Sequence, residues 1–326
     1  MAKLNSQIID DYYLADNQEI ELWEKSIFVF DTSALLQFYY YSDNARKNIF
    51  ETIFDILKGR LWIPFHVGYE FLNNRKSTIK KPYTESYIFL ENEILKKIQE
   101  EIKSIISNVG DFQRRTKSTE THPFIDTKII DTFIREAENF NKSYQEFETK
   151  TKQEFETRKK EINSMLDNDI VLIAIKKYFA SGDDYSFTKI MEIVADGELR
   201  YRNNIPPGYK DENRKDGTQR YGDLIIWKQI IDYAKKTKKP IIFITNDTKD
   251  DWAITEKHDN EKRIARPREE LVKEMKDNAN VAFWMYSLDQ FIYKAQEILN
   301  SQIETKVLEE VEKVKLAKYR KDQSST

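Results

Sequence analysis

Four short apolar runs fix the fold class of this chain. They are IFVF at 27–30, LWIP at 61–64, PIIFIT at 240–245 and VAFWMY at 281–286. Their apolar residues are consecutive rather than alternating, so each run must be covered on both faces. Each is too short to be a self-burying helix, and helical patterns separate them. Short buried strands alternating with helices build a parallel sheet with helices on both sides and right-handed crossovers.

The chain has 326 residues, which suits one α/β domain with a large insertion. The first stretch, 23–77, holds IFVF, a helix through ARKNIFETIFDILKG, then LWIP and FHVGYEFLNNRKS. Gly59 falls where a helix C-cap belongs, and Pro64 opens the next helix. The middle stretch, 87–179, reads differently. Ile94, Leu95, Ile98, Ile102, Ile105 and Ile106 recur at helical spacing, as do Ile130, Phe133, Ala137, Phe140, Tyr144 and Phe147. A break at STETHPFIDTK separates the two sets, which predicts an antiparallel, coiled-coil-like hairpin. The α/β pattern resumes over 201–298, opening with the polar loop NNIPPGYKDENRKDGTQRYGD. The expected division is an α/β domain split over 1–84 and 196–300, a helical insertion at 85–195, and a charged helix at 301–326 that frays at KDQSST.

Net charge is −3, so nucleic-acid binding would need a local basic patch. The chain lacks cysteine, which excludes disulfides and thiolate zinc sites. His66, His122 and His258 lie far apart and read as turn or surface residues rather than metal ligands. The N-terminus shows no basic and apolar leader pattern, and no apolar run approaches the roughly 20 residues of a membrane span. The expectation is a cytoplasmic protein.

The acids form a set. Asp31 ends one strand and Asp247 another, and C-terminal strand ends share one sheet edge, where ligands bind. Asp223 starts the helix of LIIWKQII, and Glu70 lies on the helix after LWIP. Singly, these aspartates read as helix or turn caps and Glu70 as an exposed helical residue. Together, four carboxylates in one crevice repel and call for a cation. With oxygen ligands alone, that cation is Mg²⁺ or Mn²⁺.

The order FVFDTSALL, IPFHVGYEFLNNR, YGDLIIWKQII and PIIFITNDTKDDW resembles the PIN-domain ribonucleases, in particular a bacterial PIN-like branch with a long helical insertion. The resemblance covers the first and third stretches. It implies a three-layer PIN-like α/β fold with a central parallel sheet. It makes Asp31, Glu70, Asp223 and Asp247 catalytic, metal-binding acids for one or two Mg²⁺ or Mn²⁺ ions. Thr32, Ser33 and Thr245 match supporting polar positions; many relatives carry Asn where Ser33 stands. The implied activity is metal-dependent phosphodiester hydrolysis, in RNA rather than DNA, by a toxin or antiviral defence effector.

The residues also offer a grip on a nucleic acid: Asn74 and Arg75 after Glu70, Lys210, Arg214, Lys215 and Arg220 before Asp223, and Arg266 and Arg268 further on. Tyr209, Tyr221 and Trp252 are candidate base-stacking residues, Trp252 reading better as core. Two alternatives stand beside an endoribonuclease: a structure-specific DNA nuclease, and a non-catalytic module that binds partners or a second copy through the helical arm. A phosphatase with an aspartyl nucleophile fits poorly, because Ser33 stands where a second aspartate is needed.

Overall fold

The computed structural model describes residues 14–116, 125, 127–211, 216–258 and 261–324. The chain divides into two compact units, Met1–Arg75 with Ile170–Thr326, and Lys76–Asp169.

The first unit is built on a five-stranded parallel sheet in the order β3-β2-β1-β4-β7. Its strands are β1 (Ile27–Phe30), β2 (Leu61–Ile63), β3 (Ala180–Ser181), β4 (Ile241–Ile244) and β7 (Phe283–Tyr286). Every residue of β1 and β4 is buried, as consecutive apolar residues require. On one face, Phe28 and Phe30 pack on Phe291 with ring centroids 5.7 and 5.2 Å apart. Phe291 belongs to α11 (Leu288–Leu299), and α1 (Asp16–Lys25) adds Trp23, stacked 5.6 Å from it. On the other face, Trp62 of β2 lies in register with Val29 and stacks on Tyr233 at 4.1 Å. Phe243 of β4, also in register with Val29, packs on Trp252, which meets Trp227 edge-on. Tyr233 and Trp227 belong to α9 (Gly222–Thr237), the helix covering that face.

The remaining helices of this unit are α2 (Thr32–Gln37), α3 (Asp43–Ile49), α4 (Phe65–Pro82), α7 (Ile170–Tyr178), α8 (Phe187–Arg202), α10 (Glu269–Ala279) and α12 (Thr305–Ser324). Gly59 turns the chain with φ +83° before β2. The last helix runs through Ser324. Its first half is part of the core, with Val307 and Val311 buried and Lys315 paired to Asp289 at 2.7 Å.

Two elements lack a sequence counterpart above. β3 has two residues and exists by pairing with β2. A Cβ on Gly182, just beyond it, would lie 2.7 Å from the Trp62 ring, so only glycine fits. The antiparallel ribbon β5 (Ala253–His258) and β6 (Glu261–Pro267) inserts between β4 and α10.

The second unit is a helical hairpin. Wide i→i+5 turns at Tyr83–Tyr87 and Leu90–Leu95 lead into α5 (Lys96–Thr116), and α6 (Thr127–Asp167) returns. Lys159 sits over the Tyr83 ring, Tyr87 packs on Phe155, Tyr144 donates to the Leu95 carbonyl, and Gln113 donates to Asp131. Ascending positions on one strand of the hairpin meet descending positions on the other, so the helices are antiparallel. The break at 118–128 lies largely outside the described residues.

Candidate active site

Asp31 is the residue at which β1 becomes α2. It caps the helix, its side chain accepting from the Ser33 amide at 3.3 Å. The same oxygen, Oδ2, accepts from the Ser33 hydroxyl at 2.6 Å and the Thr245 hydroxyl at 2.9 Å. Thr245 directly follows β4, the neighbouring strand, and its Oγ1 accepts from the Asp247 amide at 3.0 Å. One hydroxyl therefore ties the carboxylate of one strand end to the backbone of the other. Ser33 Oγ also accepts from the Asn246 amide at 2.9 Å. The Asn246 side chain donates to the Ser33 carbonyl and accepts from the Leu288 amide, joining three segments.

Glu70 comes to the same edge from α4. Thr32, next to Asp31, donates its hydroxyl to Glu70 Oε2 at 2.7 Å. Asp223 comes from the first turn of α9. The start of α4 is tied to the middle of α9, because the Gln229 side chain of α9 accepts from the His66 amide at 3.1 Å. A Cβ on Gly222, beside Asp223, would lie 3.2 Å from His66 Nε2 and 3.4 Å from Glu70 Oε1. Glycine is what lets the two helices approach there.

The loop before α9 completes the wall. Gly208 has φ +93°, and a Cβ there would lie 2.4 Å from Tyr201 Oη and 3.0 Å from Asp223 Cβ. Both the backbone angle and the space require glycine. The loop is held by Asp251, whose Oδ2 accepts from the amides of Gly208 at 3.1 Å and Lys210 at 3.0 Å. On the far side, a Cβ on Gly197 of α8 would fall 2.4 Å from the Tyr221 ring. Substituting Gly197 with Val should therefore destabilise the protein by about 1–3 kcal/mol, the usual cost of overpacking. Urea denaturation of the variant checks this.

Burial raises the Asp31 carboxyl above the usual range; the Ser33 and Thr245 hydroxyls oppose this, and the nearby Asp247 charge adds to it. Burial likewise raises Asp251 against the bond from Lys210. Asp247 is ion-paired with Lys249 at 2.9 Å. Glu70 Oε1 lies 3.6 Å from His66 Nε2.

Among the described residues, no three His, Asp or Glu side chains converge into a ready-made metal site. The donor set nonetheless fits a hard divalent cation. Its four acids offer oxygen ligands, and a half-buried Asp31, its carboxyl raised by desolvation beside the Asp247 charge, is the arrangement a cation relieves.

The structure places the other sequence candidates variously. Asn74 and Arg75 lie on α4, Asn74 one turn beyond Glu70. Lys210 is exposed in the short turn Tyr209–Asp211. Arg220 lies two residues before α9 begins, its carbonyl accepting from the Tyr201 hydroxyl. Arg266 and Arg268 pair with Glu269 and Glu270 at the start of α10, at 3.0 and 2.9 Å. Arg214, Lys215 and His122 lie outside the described residues. Tyr221 and Trp252 are buried, Tyr221 stacked on Tyr201 at 5.1 Å, so neither offers a face to a base.

Sequence reasoning read His66 as a turn or surface residue and did not single out Asn246, Lys249, Asp251 and Lys262. The string TNDTKDDW contains three of them, but nothing in it tells a bound Asp251 from an exposed Asp250. Lys262 comes in on the β5–β6 ribbon. With Lys210, Thr248, Lys249 and Asp250 it lines a cavity of about 200 Å³.

The PIN like domain family model matches residues 27–271. The chain belongs to the PIN like domain family. The match runs from β1 into α10 and spans the segments carrying all four acids. PIN-like domains are part of a nuclease superfamily whose members typically use divalent metals and act on nucleic acid. No curated protein and no solved structure matches the chain. Among the described residues, no helix is long and apolar enough to cross a membrane.

Proposed function

We propose that this PIN-like domain is a Mg²⁺- or Mn²⁺-dependent endoribonuclease. The observation that carries the reading is the hydrogen-bonded linkage of Asp31, Asp247 and Glu70 at the C-terminal edge of one parallel sheet, with Asp223 in the first turn of the adjoining helix α9. Asp31 and Asp247 are joined through Thr245, and Asp31 is joined to Glu70 through Thr32. Glu70 lies against Gly222, the neighbour of Asp223.

Asp31, Glu70, Asp223 and Asp247 would hold the cation. When bound, it supplies an activated water and compensates charge on the phosphate. Ser33 and Thr245 fix the Asp31 carboxylate, and Thr32 fixes Glu70. Asp251 and Gly208 hold the loop against Asp223. No covalent nucleophile is required. RNA is chosen over DNA on the family resemblance.

The lysine-lined cavity next to Asp247 gives the substrate backbone a basic wall on an otherwise acidic protein. Replacing Lys210, Lys249 and Lys262 together by Ala should weaken single-strand binding for all sequences alike. The slope of log affinity against log salt should fall by about 2, at roughly 0.7 per lost phosphate contact. Fluorescence anisotropy at several salt concentrations, with Ca²⁺ replacing the active metal, measures both.

The function is tested by incubating the protein with labelled single-stranded RNA, tRNA, single-stranded DNA and flap DNA, with Mn²⁺, Mg²⁺ or chelator. Metal-dependent internal cleavage of RNA supports the proposal. Cleavage confined to flap DNA moves the protein to the structure-specific DNA nucleases. Intact substrates under every condition would favour the non-catalytic reading.

A further inference from the structure

α4 carries an exposed apolar stripe beside the acid set. Phe65, Tyr69 and Leu72 are 38%, 57% and 52% exposed. At about 100° per residue the three fall within an arc of about 60°, on the side of the helix away from buried Val67 and Phe71. Glu70 follows about 100° round the helix from Tyr69, and His66 falls between them. The side chains bear this out. The His66 and Tyr69 ring centroids are 6.2 Å apart, and His66 Nε2 is 3.6 Å from Glu70 Oε1. His66 also faces α9, since a Cβ on Gly222 would lie 3.2 Å from its Nε2. The Tyr69 ring is thus one side chain removed from the acid set, on its solvent side.

Among the described residues, the Tyr69 hydroxyl has no hydrogen-bond partner and the only ring beside it is His66. The other aromatic side chains around the site are taken. Tyr221 is stacked on Tyr201, Trp252 packs on Phe243, and half-buried Tyr209 has Lys210 over its ring. The charge of α4 favours a polyanion as the occupant of its exposed side. The helix contains one acid, Glu70, whereas Arg75, Lys76, Lys80 and Lys81 are basic, on a chain of net charge −3.

Resting on the nuclease reading above, we propose that Tyr69 is the stacking platform for an unpaired base of a single-stranded nucleic acid whose backbone lies at the acid set. Stacking on an aromatic ring tolerates any base, because every base has a π-face. A base held inside a duplex is stacked on its neighbours and presents no face to the ring. Tyr69 therefore selects strand state rather than sequence. Phe65, one turn earlier on the stripe, offers a second ring.

Fluorescence anisotropy on the full chain, with Ca²⁺ replacing the active metal, tests this. The probes are a labelled single-stranded RNA, an abasic strand of equal length and charge, and the same RNA annealed into a duplex. Tyr69→Ala should bind the single strand roughly tenfold more weakly, the loss expected for one base–aromatic stack. It should bind the abasic strand and the duplex as wild type does. Tyr69→Trp should restore the single-strand affinity. Both variants should melt with wild type, because the side chain is exposed. The slope of log affinity against log salt should not change, since no phosphate contact is lost. Equal affinity of wild type and Tyr69→Ala for the single strand overturns the platform and leaves the nuclease reading standing; a protein occupant of the stripe would give this result. Equal weakening on the RNA and the abasic strand overturns it too. Wild type that binds no single strand overturns the platform together with the nuclease reading.

Discussion

Asp31→Asn should abolish cleavage and at the same time raise the melting temperature of the metal-free protein at pH 7. The loss of activity should exceed ~100-fold, because even residues that only orient metal ligands cost 10–100-fold. The gain in stability comes from the same environment. Burial, aided by the Asp247 charge, holds the Asp31 carboxyl above its usual range despite the Ser33 and Thr245 hydroxyl bonds. A carboxyl whose folded pKa is raised binds protons more tightly when folded. Its contribution to stability is full below the unfolded value, about 3.9. It is lost as pH rises through the folded value. At pH 7 the carboxylate is therefore a net cost, which asparagine removes while still accepting from Ser33 and Thr245. Each kcal/mol relieved should appear as a rise of about 2–4 °C. The gap between variant and wild type should close as pH falls through the folded pKa. Adding Mn²⁺ should narrow it at pH 7, because the cation stabilises wild type more. Differential scanning calorimetry from pH 4 to 8, with and without metal, measures each part. A variant less stable than wild type at pH 7 without metal would contradict this account of Asp31.

The second large effect is at Asp251, which is fully buried and outside the acid set. Its carboxylate holds the amides of Gly208 and Lys210, and Gly208 packs against Asp223. Asp251→Ala removes two charge-assisted bonds and strands two N–H donors. A cost of about 2–4 kcal/mol is expected. Activity should fall as well, because the loop that positions Asp223 loses its anchor. Asp251→Asn should be far milder. Both donors use one oxygen, which an amide retains, and neutralisation relieves the burial that raises this carboxyl. Urea unfolding and cleavage rates of the two variants separate anchor from charge. Equal loss in both would show that the charge itself is needed.

Much of the fold was legible because its strands carry their own signal. IFVF and PIIFIT lack alternation, and both became fully buried central strands. The strand-end acids followed from the same reading, since a parallel sheet puts Asp31 and Asp247 on one edge. What was not legible depends on contacts distant in sequence. β3 is two residues long and is a strand only because Trp62 and Ile63 pair with it. The β5–β6 ribbon hid in EKHDNEKRIARP, where charge suggests a loop; its strands bond to each other and need little burial. Arg266 and Arg268 read as free cations because their partners, Glu269 and Glu270, belong to a helix whose start was not marked. Asp251 and Asn246 look like ordinary turn residues until the loops they tie are in place.

The most direct test of the central claim is a cleavage time course on single-stranded RNA with Mn²⁺, comparing wild type, Asp31→Asn, Asp223→Asn and wild type with chelator. The account predicts cleavage by wild type alone, lost to the same background in the other three, with all proteins folded by circular dichroism. Cleavage that persists in chelator, or in either folded variant at the wild-type rate, would contradict a metal-dependent site built on these acids.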